Sequence, residues 1–373
     1  MLTNPLVIDY SAHDAFAFCP ASWYEKYINK RRKRWPPGQR RDALALGSLV
    51  HEGLRMWQQE HTIEIPSEVV EEVTPDRETY ALAQELVLGY ARSYPSELWP
   101  LVMCEEPLTW QIRDEHCTSC QGDGYGEHDI VPAIYGLAKL DAYFYVPEPT
   151  EIESGQPGLT FTLSKGWWAQ EYKTKSPRIA LGLYMQAWET NLQASYQCLA
   201  LNAELKRVFD ASEGEHVVQG VLVNVLEKPN RYIPKRKCNA CQEMYEYSTW
   251  LPTGTGEYAC PVCGTRRKIE PLRANVPEAP PNYFRIVVTR TAEDLARDSE
   301  IIHQVAEQML AMRSGGLTSA PWTKRNCVSL EYRRACDYYN PHKYGNSTLD
   351  DDVEYETPQG DYRGLVQLEG GSE

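Results

Sequence analysis

The chain has 373 residues, of which 42% are hydrophobic and 24% are charged, with 38 Lys and Arg against 52 Asp and Glu. The formal net charge of −14 argues against a general nucleic-acid coat protein, and the composition excludes a wholly disordered chain, a collagen and a coiled coil. No apolar run reaches the ~18 residues of a transmembrane helix, and the first residues show no secretory signal. We therefore expect roughly two to three domains, or one large decorated domain, and no membrane partner.

Residues 1–98 are predicted to be mainly helical. Phe16, Trp23 and Tyr27 recur at helical spacing over residues 11–29, where Ser11 is the predicted N-cap and Pro20 a kink or break. Two further helices are predicted, over 42–59 and 77–92. The candidate core residues of the helix over 42–59 are Leu44, Leu49, Leu54 and Trp57.

Residues 99–234 are predicted to form an α/β core. Short runs rich in aromatic and β-branched residues, separated by Gly, Pro and Asp, predict strands over 101–112, 133–146, 166–174 and 217–228. A long helix is predicted between the last two, over 179–208. This order of elements predicts an α/β fold with a mixed central sheet flanked by helices.

The C-terminal part is predicted to add two elements and a tail. Residues 269–345 contain a strand at 284–290, a helix at 291–313 with Thr291 as its N-cap, and a cysteine-containing segment. The acidic, glycine-rich residues 346–373 are predicted to be disordered.

Carboxylates within two of the predicted strands indicate a metal site. Glu171 and Lys173 are two residues apart and so share one face of a strand, and Asp141 falls in the middle of the strand over 133–146. A carboxylate in an apolar strand is costly unless something offsets its burial, and carboxylate oxygens suit Mg2+ or Mn2+. A lysine beside them could orient a metal-bound water, which suits hydrolysis of a phosphodiester. Either carboxylate alone would equally suit an exposed strand face.

The series Asp141 … Glu171-x-Lys173, followed by Thr174, resembles the core of the PD-(D/E)XK nuclease superfamily in its RecB-like exonuclease branch. Three other segments resemble motifs of that branch in the same order. They are SAHDAFAFCPASWYEKY, ALGSLVHEGL with His51, and NLQASYQ with Gln193 and Tyr196. The resemblance spans roughly residues 8–345, with Ala138 in place of the glycine that usually precedes the metal-binding Asp.

The resemblance implies a role for each of these residues. His51, Asp141 and Glu171 would bind Mg2+ or Mn2+ together with the main-chain carbonyl of Tyr172, and Lys173 would orient the attacking water. Gln193 and Tyr196 would lie near the metal and the DNA substrate. From the residues alone, His51 would equally suit the polar face of an amphipathic helix, and the other two would suit ordinary helix packing.

Four cysteines have the spacing of a zinc ribbon. Two Cys-x2-Cys pairs, Cys238/Cys241 and Cys260/Cys263, supply four thiolates for tetrahedral Zn2+. Residues 235–268 are therefore predicted to be an insert stabilised mainly by its metal. Basic residues at 235–237 and 266–268 flank the ribbon, which suits either DNA contact or a purely structural role.

The remaining cysteines leave alternatives open. Cys117 and Cys120 suit either a second zinc site or free thiols. Cys19, Cys327 and Cys336 resemble the cysteines with which some RecB-like nucleases bind a 4Fe-4S cluster, and His342 stands where a final cysteine is expected. The resemblance places these four residues together, and a cluster, zinc or no metal at all remain alternatives there.

The expected function is that of a metal-dependent DNA nuclease, an exonuclease or end-processing enzyme in phage or mobile-element recombination, repair or replication. The rival is a DNA-binding subunit of a spacer-acquisition or helicase–nuclease complex with little cleavage alone. The chain has no Walker-type motif, so any ATP motor would be on another protein. Paired cysteines without a signal predict a cytoplasmic setting, the host cytoplasm if a phage encodes the chain.

Overall fold

The computed structural model describes residues 4–33, 42–73, 75–95, 97, 99–103, 107–117, 130–177, 179–209, 218–229, 235–238, 240–241, 244–246, 251–252, 257–260, 262–268, 280–315, 328–329, 334–335 and 355–356. Over these ranges the chain has an α/β fold with a mixed sheet, which confirms the predicted fold class. Within the same ranges, none of the helices is long and apolar enough to cross a membrane.

The helical elements are α1 (Tyr10–Phe18), α2 (Pro20–Trp23), a π-helical turn (Tyr24–Ile28), α3 (Asp42–Glu60), α4 (Ser67–Val73), α5 (Arg77–Ser93), α6 (Leu181–Glu189), α7 (Leu192–Phe209) and α8 (Ala292–Gly315). The strands are β1 (Leu6–Asp9), β2 (Arg32–Lys33), β3 (Val102–Met103), β4 (Leu108–Arg113), β5 (His116–Cys117), β6 (Ile130–Val131), β7 (Ile134–Ala138), β8 (Ala142–Val146), β9 (Thr150–Glu153), β10 (Thr160–Leu163), β11 (Gly166–Lys175), β12 (Val218–Glu227), β13 (Lys235–Lys237), β14 (Met244–Glu246), β15 (Leu251–Pro252), β16 (Glu257–Ala259), β17 (Arg266–Lys268), β18 (Asn282–Thr289), β19 (Val328–Ser329), β20 (Arg334–Ala335) and β21 (Tyr355–Glu356).

Two sheets organise the middle of the chain. A five-stranded sheet has the order β18-β12-β11-β8-β3, and a three-stranded sheet has the order β1-β7-β4. In the larger sheet β11 and β12 run parallel, whereas β8 and β18 are antiparallel to their neighbours. Helix α7 packs against β12 of the larger sheet and against β4 and β7 of the smaller one. The chain passes from the smaller sheet to the larger through the short turn between β7 and β8.

Each face of the larger sheet has its own apolar core. Val221, Val223 and Val225 of β12 alternate onto the face that packs against α7 and α8. On the opposite face, Tyr172 and Leu226 pack against the buried sides of α3 and α5. This division follows from the two-residue period of a strand, and each fully buried leucine or valine stabilises the fold by about 1.5–3 kcal/mol.

The N-terminal helical region differs from its prediction at the cap, while the predicted break at Pro20 is confirmed. The side chain of Asp9, not of Ser11, caps α1, because Oδ1 of Asp9 accepts the N–H of Ala12 at 2.6 Å. The predicted helix over 11–29 is divided, since α1 ends at Phe18 and a new helix begins at Pro20. Proline is well tolerated in the first turn of a helix, where its missing N–H has no intrahelical partner to lose.

The long helix predicted over 179–208 is two helices, α6 and α7. The interruption lies at Thr190 and Asn191, where Oδ1 of Asn191 accepts the N–H of Gln193 at 2.8 Å and caps α7. Asn competes for backbone hydrogen bonds in this way and so favours a helix start over a helix interior. The new start points the first turn of α7 at β11.

Three other predictions need correction or qualification. Asp141 does not lie in the middle of a strand, because the run over 133–146 is two strands in different sheets and Asp141 occupies the bend between them. Leu44 is exposed, unlike Leu49 and Leu54, which are fully buried. Within residues 346–373 the structure describes Tyr355–Glu356, a short strand that pairs with Arg32–Lys33, and the predicted disorder of the segment stays a prediction.

Candidate functional site

The unpaired end of β11 positions the residues singled out from the sequence. β8 pairs with β11 from Gly166 to Gln170, and no other described strand continues that side beyond Gln170. Glu171, Tyr172 and Lys173 therefore follow at an open strand edge, directly beside the bend that carries Asp141. The bend after β7 therefore places the carboxylate of Asp141 next to the first unpaired residues of β11.

Asp141 bridges this edge to helix α3. Its Oδ2 accepts the main-chain N–H of Tyr172 at 2.8 Å, and its Oδ1 lies 2.9 Å from Nδ1 of His51. The N–H and C=O of one strand residue point to the same edge, so the carbonyl of Tyr172 also faces the side on which Asp141 lies. The Tyr172 side chain is buried among α3 and α5 and anchors the strand at this point.

Glu171 is held by three side chains. Lys173 forms an ion pair with Oε1, to which Nε2 of Gln193 also donates at 3.1 Å. Gln197 donates from Nε2 to Oε2 at 2.5 Å. Gln193 and Gln197 are four residues apart and so share one face of α7, which explains how a single helix supplies both amides.

Burial and charge shift the pKa values in this group. Burial and the neighbouring Asp141 raise the pKa of Glu171, against the opposing effect of Lys173. Burial disfavours the ionised form of Asp141, but the charge and hydrogen bond of His51, the N–H of Tyr172 and the charge of Lys173 together lower the pKa of Asp141. Burial likewise disfavours the charged forms of His51 and Lys173, yet the carboxylates raise the pKa of both. The strand edge thus holds two close carboxylates whose mutual repulsion is relieved by cations.

These residues line a cleft of about 850 Å³ between α3, α4 and the end of β11. Its wall includes His51, Asp141, Glu171 and Lys173, together with Arg55 and Lys139. Arg55 forms a hydrogen-bonded ion pair with Glu52 inside the cleft. The volume is that of a ligand-sized site, and the mixture of acidic and basic groups suits a charged ligand.

The carboxylates and His51 are near one another without surrounding a common point. Among the residues described, only the four cysteines of 238–263 bring three or more His, Cys, Asp or Glu ligand atoms within 4.8 Å of one another. In the cleft, His51 contacts Asp141. Lys173, Gln193 and Gln197 instead bind the carboxylate of Glu171 on the side of α7. The donor set itself, two carboxylates, an imidazole and a main-chain carbonyl, is one that Mg2+ or Mn2+ accepts.

Tyr196 lies away from the cleft. Its side chain is 1% exposed and sits in the core between α7 and the N-terminal helix, where its hydroxyl lies 3.0 Å from Nδ1 of His13. Tyr10 and Trp110 make edge contacts with its ring. Burial lowers the pKa of His13 and raises that of Tyr196, so both are neutral packing groups at neutral pH.

The four cysteines of the insert form a compact group. Sγ of Cys238 lies 3.5 Å from Sγ of Cys263, and Sγ of Cys241 lies 3.9 Å from Sγ of Cys260. These separations are too long for a disulfide and match the edge of a tetrahedron with metal–sulfur bonds of about 2.3 Å, which is about 3.8 Å. A turn supports the second pair, since Gly264 donates its N–H to the carbonyl of Cys260 at 3.0 Å with a left-handed φ of 70° that favours glycine.

The thiols of this group differ in acidity. Hydrogen bonds from Thr265 lower the pKa of Cys263 to about 6, whereas burial raises the pKa of Cys260 to about 11. Among the described residues of the insert, the apolar neighbours packed against buried Cys238 and Cys260 are Cys241 and Tyr258. A bound cation would therefore be a main source of stability for this insert.

The remaining cysteine predictions are untested. Cys19 is buried between α1 and α2, while Cys327, Cys336 and His342 lie outside the described residues. Cys120 also lies outside them, so neither the expected meeting of Cys19 with these three residues nor a second zinc site at Cys117 and Cys120 is tested.

Gln197 is the site residue that sequence reasoning missed. The four-residue spacing between Gln193 and Gln197 could have predicted it, because this spacing places the two side chains on one face of α7. The three-residue spacing from Gln193 to Tyr196 aligns the side chains less closely. His13 was also missed, and nothing in the sequence distinguishes a buried histidine that contacts a tyrosine from an exposed one.

Comparison with known proteins links part of this arrangement to a family. Residues 9–120 match the family model of the PD-(D/E)XK nuclease superfamily, which indicates a nuclease-type hydrolase. The match covers less than a third of the chain; it includes His51 and ends before Asp141. No curated protein matches the chain.

Proposed function

We propose that the chain is a divalent-metal-dependent deoxyribonuclease of the RecB-like type, which hydrolyses phosphodiester bonds in the cleft between α3 and β11. The observation that carries this proposal is the meeting of Asp141, His51, Glu171 and Lys173 at one open strand edge, although they come from three separate parts of the sequence. The match over residues 9–120 supports it independently, because that match does not include the carboxylates.

The residues at the strand edge suit Mg2+ or Mn2+. Asp141, Glu171 and His51, with the main-chain carbonyl of Tyr172, would hold the cation. Burial and the nearby Asp141 raise the pKa of Glu171, and a cation would stabilise the two carboxylates together. A cation bound there supplies Lewis-acid stabilisation of the phosphate oxygens and lowers the pKa of a water.

The chain's own groups complete the site. Lys173, with its charge kept by the two carboxylates, orients the attacking water next to Glu171. Gln193 and Gln197 hold the Glu171 carboxylate in place through its two oxygens. Arg55 and Lys139, on the cleft wall, contribute positive charge toward the phosphates of a strand that crosses the edge.

We also propose that the cysteine group binds one structural Zn2+. The sulfur separations and the two Cys-x2-Cys pairs support this assignment, and zinc prefers four thiolates in structural sites. The ribbon lies in the sequence between β12 and β18, and so outside the strands that build the cleft.

A cleavage assay tests the proposed activity. Single- and double-stranded DNA labelled at the 5′ or the 3′ end is incubated with the protein in Mg2+, Mn2+ or EDTA. The proposal predicts cleavage with either metal, none with EDTA, and loss of cleavage in Glu171→Gln. The matched control is Glu151→Gln, on exposed β9, which should cleave like wild type. Metal-independent cleavage, or full activity of Glu171→Gln, would contradict the proposal.

The label position assigns the mode of attack. Mononucleotides released from one end identify an exonuclease, and internal fragments identify an endonuclease. We propose the exonuclease or end-processing mode, within phage or mobile-element recombination, repair or replication. The alternative, a DNA-binding subunit of a larger spacer-acquisition or helicase–nuclease complex, predicts DNA binding without metal-dependent cleavage by the chain alone.

A further inference from the structure

Four aromatic side chains form a partly open surface near the start of β11, the strand that carries Glu171 further along. We define the aromatic platform as Tyr143 and Tyr145 of β8, Trp167 of β11 and Phe209 at the end of α7. The ring of Trp167 lies 5.8 Å from that of Tyr143, 5.1 Å from that of Tyr145 and 5.8 Å from that of Phe209, measured between ring centroids. Tyr145 is 38% exposed and Phe209 is 49% exposed, so the group presents ring surface to solvent.

The platform lies on the sheet face that carries Glu171 and Lys173, which is the face against which α7 packs. Trp167 is paired with Tyr145 and Ala169 with Tyr143, and residues directly opposite in an antiparallel pair point to the same face. Along β11, Glu171 and Lys173 are four and six residues beyond Trp167, so alternation places them on that face as well. The platform therefore shares β11 and one sheet face with Glu171 and Lys173, whereas His51 contacts Asp141 from α3, which packs on the opposite face.

The separation suits neighbouring nucleotides. At about 3.3 Å per strand residue, Tyr143 lies about 7 Å along the chain from Asp141, and Trp167 lies about 13 Å from Glu171. Stacked bases follow one another at about 3.4 Å, so the platform is about two to four bases from the carboxylates. A strand whose phosphate lies at Glu171 could thus place its next bases on these rings.

The surroundings favour a nucleic-acid strand over an apolar protein segment. Lys165, two residues before Trp167, and Lys206, three residues before Phe209, are both exposed. The helical spacing places Lys206 next to Phe209 on α7. Proteins that bind single-stranded nucleic acid combine aromatic rings with positive charge. The rings stack on the flat faces of the bases, and the ammonium groups attract the phosphates.

We propose that the aromatic platform binds unpaired bases of the substrate, two to four nucleotides from the bond that is cleaved. The inference rests on the proposed nuclease function and adds the substrate class. In duplex DNA the base faces are stacked on one another and cannot lie on the rings. The preferred substrate is therefore single-stranded DNA, or a duplex end that has opened over the platform.

Binding of fluorescein-labelled oligonucleotides, followed by anisotropy in EDTA, tests the proposal without any cleavage. Tyr145→Ala and Phe209→Ala should each weaken binding of a single strand about tenfold, the effect of one lost base–aromatic stack. Tyr145→Phe should bind like wild type, because the ring remains. Tyr145→Leu keeps apolar bulk without an aromatic ring and should bind like Tyr145→Ala. Phe18→Ala, a phenylalanine of similar exposure on α1, is the matched control and should have no effect.

A scan with a single abasic residue ties the effect to a base. In the wild-type protein, one abasic residue two to four positions from the cleaved bond should weaken binding about tenfold. In Tyr145→Ala the same abasic residue should weaken binding no further, because the stack is already absent. Additive losses in this double comparison would overturn the proposal.

The outcomes separate this inference from the proposed function. Platform variants that bind single strands like wild type, or a loss of the same size in Phe18→Ala, would overturn the platform, whether or not the chain cleaves DNA. A change of oligomeric state in Tyr145→Ala with unchanged DNA binding would identify a protein surface and also overturn it. Base-dependent binding to the platform by a protein that cleaves nothing would support the platform and contradict the nuclease.

Discussion

The cleft and the cysteine ribbon are two candidate metal sites built in opposite ways. In the cleft, Asp141 and Glu171 are held by hydrogen bonds from a strand, two helices and a lysine, and the strand is anchored by a packed core. In the ribbon, four sulfurs meet between short strands, and within the part of the insert that the structure describes only Cys241 and Tyr258 pack against the buried pair Cys238 and Cys260. The comparison teaches that the fold itself holds the candidate catalytic groups, whereas the insert would depend for its shape on the cation that we propose it binds.

The largest effect is expected from Asp141→Asn. The substitution keeps the shape of the side chain but removes a carboxylate that would hold the cation, so cleavage should fall by about a thousandfold or more. The fold and the zinc content of the ribbon should be unchanged. Cleavage rates, a thermal melt and metal analysis of the purified variant check this. An equal loss of zinc would contradict the independence of the two sites.

Zinc removal should break the ribbon and spare the cleft. A strong chelator, or Cys260→Ser, should make residues 235–268 sensitive to limited proteolysis, because four thiolates without a cation leave the insert little to hold it together. The helices around the cleft should remain protected. Metal analysis should find one zinc per chain before treatment. A ribbon that lacks zinc and still resists protease would show that packing, not metal, stabilises it.

A smaller effect is expected from Gln197→Leu. The change removes one of two amides that hold the buried carboxylate of Glu171, and hydrogen bonds to charged groups contribute about 1.5–3 kcal/mol. We expect kcat to fall about tenfold, with little change in KM, since Gln197 is buried and does not face substrate. The matched control is Gln186→Leu, which changes an exposed glutamine on α6 and should leave both constants unchanged. A rise in KM alone would assign Gln197 to substrate binding.

The smallest effect is expected from Leu44→Ala on α3. Leu44 is 59% exposed at the rim of the cleft, so its truncation should change the free energy of unfolding by less than about 0.5 kcal/mol. Leu54→Ala, on the buried side of the same helix, should cost about 2–5 kcal/mol. Urea unfolding of both variants measures the difference. An equal loss of the free energy of unfolding in Leu44→Ala and Leu54→Ala would mean that the exposed side of α3 stabilises the fold as much as its buried side.

Local pattern predicted much of both regions. The Cys-x2-Cys spacing depends on a few neighbouring residues, and it identified the four sulfurs that the structure brings together. Helical periodicity likewise located α3, α5 and α8, and Thr291 caps α8 as predicted, in a reciprocal pair with Asp294. The order of the motifs predicted Asp141, Glu171, Lys173 and His51 as site residues. Each of these signals is short-range or belongs to a known pattern.

Only the tertiary structure decided where those residues point. One apolar run, 133–146, supplies strands to two different sheets, and the turn between them, not a strand, presents Asp141 to Tyr172. Asn191 starts a new helix that aims Gln193 and Gln197 at Glu171, while Tyr196 of the same helix turns into the core. Hydrophobic periodicity predicts which face of a helix or strand is buried, but it does not identify the residues, distant in sequence, that pack against that face. The chain alone therefore determined which chemistry it carries, and the packing of α7 and α3 around the open end of β11 decided which groups meet there, because burial and strand pairing depend on the whole fold.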